Sequence, residues 1–140
     1  MIDTVLQNKD ATAPLGAAQG TQVLVIEDDP FLSKAYKVKF DHEGIKADFA
    51  LDGEVGLAKT KELKPQLVLL DIMLPKKNGF DYLADKNKDA NIKDIPTIIL
   101  SNLGQEDDMK KGKELGAVDY IVKTSMKIQD VVVKVRQYVK

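Results

Sequence analysis

A doubly wound α/β fold is predicted by two features of this 140-residue chain. Five short apolar runs rich in β-branched residues alternate with longer segments of helical period, the pattern of βαβ units that build one parallel sheet. Polar groups stand just after four of those runs: the acidic cluster Glu27, Asp28 and Asp29, then Asp71, Ser101 and Lys123. On a parallel sheet all of them emerge at the carboxyl edge, where open α/β sheets bind ligands. The length suits a single domain.

Residues 1–20 are rich in Ala, Thr, Gly and Gln and cannot bury enough apolar surface to order themselves. They are expected to form a flexible tail, with the folded domain over 21–140. The first strand is expected at Val23–Ile26. Pro30 and Phe31–Glu43 follow as a helix that Asp29 caps, with proline at the first position, Gly44 as terminator and Leu32, Tyr36 and Phe40 as apolar stripe. Ile45–Phe49 alternates Lys46 and Asp48 with apolar residues and reads as an edge strand. Gly53–Leu63 is the second helix, stopped by Pro65. Leu67–Leu70 and Thr97–Leu100 are nearly all apolar and read as strands buried on both faces, with a helix over Phe80–Lys88 between them. A fourth helix over Gln105–Leu115 ends at Gly116, and Val118–Val122 is the fifth strand. In Lys127–Val139 the residues Ile128, Val131, Val132, Val135 and Val139 recur at helical spacing, which outweighs the strand propensity of valine and predicts a fifth helix. Right-handed crossovers on one sheet make the architecture doubly wound.

Composition excludes several classes. The 21 Lys and Arg nearly cancel the 22 Asp and Glu, so no whole-chain field draws in nucleic acid or anionic lipid. Cysteine is absent, which removes disulfides, thiolate metal sites and a cysteine nucleophile. No run approaches the roughly 20 apolar residues of a membrane span, and the amino end lacks a basic leader, so a cytoplasmic protein with no membrane contact is expected.

The edge residues make a coherent chemical set. Carboxylates can hold a hard cation, one of them can attack phosphorus, and a hydroxyl and an ammonium can hold the transferred oxygens. Taken singly, each has a plainer reading. Paired aspartates cap helices, Asp71 fits a turn, Lys123 a solvated surface, Ser101 a loop and Tyr120 simple packing.

Four segments in order give the set a context: VLVIEDDP at Val23–Pro30, LVLLDIMLPKKNGF at Leu67–Phe80, PTIILSN at Pro96–Asn102 and GAVDYIVK at Gly116–Lys123. Over residues 22–140 the sequence resembles a response-regulator receiver domain of bacterial two-component signalling, of the stand-alone type. The resemblance implies a flavodoxin-like sheet of order 2-1-3-4-5 with five helices. Its crevice opens between strands one and three, where Asp28, Asp29 and Asp71 would meet. Asp71 is implied as phosphoacceptor, taking a phosphoryl group from a histidine of a partner kinase or phosphotransfer protein. Mg²⁺ is implied at Asp28, Asp29, Asp71 and the backbone carbonyl of Met73, with Asp29 binding directly and Asp28 through water. Ser101 and Lys123 would engage the phosphoryl oxygens. Tyr120 would then turn inward and reshape the face of the fourth helix, fifth strand and fifth helix for a downstream protein. Such a chain is a switch rather than an enzyme, with chemistry limited to its own phosphorylation and dephosphorylation. Since nothing follows Lys140, direct DNA binding is not expected.

Two positions depart from the family pattern. Thr124 replaces the usual proline after the lysine, which predicts a trans peptide and a rerouted loop, because a non-proline cis bond costs about 3 kcal/mol. Asn102 stands where Ala or Gly is usual, and its bulk is expected to shield the acyl phosphate. Two alternatives follow: a degenerate receiver acting as a phosphorylation-independent scaffold, and an aspartyl-nucleophile phosphatase. The second requires an aspartate two residues after Asp71, where Met73 stands. A flavin-binding variant of the same architecture would need amides and hydroxyls at the first turn, which presents acids instead.

Overall fold

The computed structural model describes residues 20–102 and 106–140, so the expected tail falls outside the described residues except for Gly20. Five strands, β1 (Val23–Ile26), β2 (Ala47–Ala50), β3 (Leu67–Asp71), β4 (Thr97–Ser101) and β5 (Asp119–Val122), form one parallel sheet of order β2-β1-β3-β4-β5. Between and after them run α1 (Pro30–His42), α2 (Gly53–Leu63), α3 (Gly79–Asn87), α4 (Glu106–Glu114) and α5 (Ile128–Arg136). The doubly wound architecture and the 2-1-3-4-5 order are as expected.

The alternation of side chains divides the core in two. Val23 and Val25 of β1, Leu67 and Leu69 of β3 and Ile121 of β5 face α1 and α5, where they meet Tyr36, Phe40, Val131, Val132 and Val135. Leu24, Ile26, Val68, Leu70 and Ile99 face the other way and meet Tyr82 and Leu83 of α3. Every residue of β1, β3 and β4 is buried, whereas three of four in β2 are half-buried, as befits the edge.

Several boundaries differ from expectation for local reasons. The second strand starts at Ala47 rather than Ile45, because the Ile45 amide bonds the Phe40 carbonyl and closes α1, while the Lys46 amide bonds the Gln22 side chain. The fourth and fifth helices are each shorter than the periodic segments that predicted them. At α1 the Asp29 carboxylate accepts from the amides of Phe31 at 2.9 Å and Leu32 at 3.4 Å, with Pro30 at the first turn, which fixes the helix start as the sequence implies. Gly79 opens α3 against the end of β3. A Cβ there would lie 2.6 Å from the Asp71 carbonyl oxygen, so only glycine permits this approach.

Candidate functional site: a carboxylate pocket at the carboxyl edge

Sheet register assembles the site. Val23 is level with Leu67 and Ile26 with Leu70, so the next residues, Glu27 and Asp71, stand side by side at the sheet edge. Both continue the face of Val25 and Leu69, and Lys123 follows Ile121 on the same face at the end of β5. Three charged side chains from three strands thus converge above the α1–α5 half of the core.

The pocket floor is nearly dry: Glu27 is 1 % exposed and Asp71 5 %. The Lys123 ammonium donates to Glu27 Oε1 and, at 3.2 Å, to Asp71 Oδ2. Glu27 Oε2 accepts from the Asp29 amide at 3.1 Å, and Asp71 Oδ1 from the Met73 amide at 3.3 Å. Asp28 is exposed at the mouth, and carboxylate oxygens of Glu27, Asp28 and Asp71 lie within 4.8 Å of one another.

This crowding perturbs the titrations. Burial holds the Glu27 carboxyl above its ordinary range against the hydrogen bond from Lys123, and the Asp71 charge adds to the rise. Burial and then the adjacent Glu27 raise Asp28. Burial opposes the charge on Lys123, but Glu27 and Asp71 outweigh it and lift the amine above its usual value. From beneath, burial and the charges of Glu27 and Asp71 push the Tyr36 hydroxyl up to about 12. One ammonium faces three carboxylates. A divalent cation would balance the remainder, and the all-oxygen donor set suits a hard ion.

The other wall comes from β4 and β5. Ser101 ends β4 fully buried, and on the neighbouring strand β5 the half-buried Tyr120 has its hydroxyl held above its ordinary value, chiefly by burial. Asn102 next to it is exposed, as is Met73 at 65 %.

A family model described as the response regulator receiver domain matches residues 23–136. The chain belongs to that family. Among curated relatives, the DNA-binding dual master transcriptional regulator RpaA of Synechocystis is 35% identical over 115 residues, covering 82% of this chain and 47% of RpaA. Protein PilH of Pseudomonas aeruginosa is 36% identical over 107 residues, covering 73% of this chain and 84% of PilH. The chain thus spans about half the length of RpaA but most of PilH. The crystal structure of the Mn²⁺-bound form of response regulator Rcp1 superimposes with a TM-score of 0.68 at 28% identity, covering 84% of this chain and 90% of that one.

Of the site residues expected for this receiver domain, Asp28, Asp71 and Lys123 are brought together, and Ser101 and Tyr120 stand on the adjoining paired strands β4 and β5. Asp29 is not in the cluster. Its carboxylate caps α1, and Glu27 takes the place in the pocket that was assigned to it. The signal was present in the sequence: Pro30 marks the first helical position, which makes Asp29 the cap, and strand alternation carries Glu27 to the face of Val25. At the Thr124 departure, no cis peptide occurs among the described residues and Lys123–Ser125 makes a single 3-10 turn. The amine of Lys123 nonetheless reaches Asp71.

Proposed function

We propose that this receiver domain is a phosphoacceptor switch in which Asp71 takes a phosphoryl group from a histidine of a partner kinase or phosphotransfer protein. The observation that carries this reading is the position of Asp71: a buried carboxylate within reach of Lys123 and level with two further acids at the ligand-binding edge. Asp71 would attack phosphorus in line, forming an oxygen–phosphorus bond as the phosphorus–nitrogen bond of the donor breaks and the ring nitrogen keeps the electron pair. Lys123 neutralises phosphoryl oxygens as charge gathers on them. Ser101, at the end of β4, donates a hydrogen bond to a phosphoryl oxygen once the group is in place. That contact would couple the event to Tyr120 on the neighbouring strand and to the surface of α4, β5 and α5, where a downstream protein would bind.

Mg²⁺ is the proposed cofactor, held by Asp28, Asp71 and the Met73 backbone carbonyl, and it supplies charge neutralisation at the phosphoryl group. That the similar response regulator Rcp1 has a Mn²⁺-bound form supports a divalent cation as a ligand of this chain. Among the described residues no helix is long and apolar enough to cross a membrane, consistent with the proposed action in the cytoplasm.

Incubation with Mg²⁺ and acetyl phosphate, followed by intact-mass measurement, tests the proposal. One added phosphoryl group, absent in Asp71→Asn, is the expected result. No gain would leave a phosphorylation-independent scaffold, and steady phosphate release without an adduct would indicate a phosphatase.

A further inference from the structure

Among the described residues the sheet ends in β2 on one side and β5 on the other, and both edges are closed in the same way. In β2 the Ala50 carbonyl accepts from Glu27, and just before the strand the Lys46 carbonyl accepts from Val23, so these backbone groups face β1. Phe49 alternates with them and turns its amide and carbonyl outward. Neither group is left open. The Asp48 carboxylate folds back to accept from the Phe49 amide at 2.7 Å, while the Lys59 ammonium of α2 donates to the Phe49 carbonyl at 2.7 Å and to Asp48 Oδ1 at 3.1 Å. One ion pair thus occupies both hydrogen-bonding groups that Phe49 would offer a further strand. The arrangement recurs on β5, where the Asp119 carboxylate accepts from the Tyr120 amide at 2.8 Å and from the Lys134 ammonium of α5 at 2.6 Å. An aspartate before an aromatic residue, paired with a lysine of a later helix, therefore marks each end of the sheet. Such an edge, when open, is a template for strand addition.

We propose that the β2 edge is a pairing surface for a second copy of this chain, kept shut by Asp48 and Lys59. A second copy is the occupant that the edge itself selects. In an antiparallel two-fold pair a residue opposite itself exchanges both of its backbone bonds, so Phe49 against Phe49 is self-complementary. The same register sets Ala47 opposite Leu51, whose side chain is 58 % exposed just beyond the strand. Pairing in the intact protein must first break the Lys59–Asp48 ion pair and its two contacts with Phe49, and it gains only equivalent bonds in exchange. Without the two side chains that cost disappears. The inference goes beyond the phosphoacceptor reading and does not depend on it.

Sedimentation of the full chain over a range of concentrations, with no phosphoryl donor present, tests it. Asp48→Ala/Lys59→Ala is expected to self-associate at a concentration about tenfold lower than the unaltered protein requires. Lys37→Ala/Asp41→Ala removes another oppositely charged pair, from the exposed side of α1, and is expected to change nothing. Because the chain has no cysteine, the register can be read by crosslinking. Ala47→Cys and Leu51→Cys, each placed in the Asp48→Ala/Lys59→Ala background, are mixed and oxidised. A disulfide joining position 47 of one copy to position 51 of the other is expected well beyond its statistical proportion. With Asp48 and Lys59 intact, the yield of that product should fall about tenfold. Association of the double variant no stronger than that of the unaltered protein, equal association of the α1 control, or no excess of the mixed disulfide would each overturn the proposal. Exchange of the Phe49 amide gives a check that needs no association. It is expected to speed about tenfold in Asp48→Ala, and an unchanged rate would show that the carboxylate does not close the edge.

Discussion

β5, which carries Tyr120 and ends at Lys123, stands between two helices of equal length that are held in different ways. α5 buries Val131, Val132 and Val135 in the core beneath the carboxylate pocket. α4 buries only Gly112, and its sequence from Glu106 to Glu114 is otherwise almost entirely polar. A Cβ on Gly112 would lie 2.4 Å from Ile99 Cδ1 and 3.9 Å from the Tyr120 ring, so α4 is held by close backbone approach rather than by an apolar stripe. A second hold comes from Lys111, whose ammonium stands 4.6 Å above the Phe80 ring of α3. The contrast teaches where motion can occur. The floor of the pocket rests on packed valines, while the wall beside Ser101 and Tyr120 leads to a helix that little apolar burial retains.

The largest effect should come from the packed side. Val132→Ala is expected to lower global stability by about 2 kcal/mol, seen as a Tm fall of roughly 5–10 °C. A negligible fall would erase the distinction between the helices. The pocket itself gives the next effect. The native carboxyls of Glu27 and Asp28 lie above their ordinary values, so the native state binds their protons more tightly than the unfolded chain does. Their contribution is therefore stabilising below the ordinary carboxylate range and is lost as pH rises through the raised native values. Urea midpoints of metal-free protein are expected to gain, relative to Asp28→Asn, as the pH is lowered from neutrality toward the ordinary carboxylate range, and saturating Mg²⁺ should remove that difference. An identical pH response in the variant would show that the acids do not repel.

Part of this contrast was legible in the sequence. The valine spacing of the last segment predicted the helix whose face is buried, whereas the weak hold on the fourth helix is seen only in the structure. β-Branched runs located the strands, whereas the sheet order came from the family resemblance, because local sequence carries no record of which strands pair. In the site, Asp71 and Lys123 were readable from their places after apolar runs. Assigning Asp29 to the pocket instead of Glu27 came from treating the acids as a cluster. Strand alternation and the cap position before Pro30 separate them, since a side chain bonded to two α1 amides points away from the pocket. The placement of Ser101 on the strand next to that of Tyr120 depends on the pairing of β4 with β5, which no local pattern encodes.

Two smaller effects sharpen the picture of α4. Gly112→Ala gains about 1 kcal/mol of helix propensity but must displace the flexible end of Ile99, so Tm should move little while amide exchange in α4 speeds. A Tm loss equal to that of Val132→Ala would mean α4 is as firmly built in as α5. Lys111→Ala should weaken the same helix by about 0.5–1 kcal/mol, visible as faster exchange in α4 with α5 unaffected. Equal acceleration in both helices would show that the cation–π contact holds more than α4.

The central claim is chemical: one buried side chain, and no other acid of the cluster, receives the phosphoryl group. Phosphorylating the protein with acetyl phosphate and Mg²⁺, reducing the acyl phosphate with borodeuteride and mapping peptides by mass tests it directly. The account predicts deuterium-labelled homoserine at position 71 alone; label at position 27, 28 or 29, or none in protein that has gained phosphate, would contradict it.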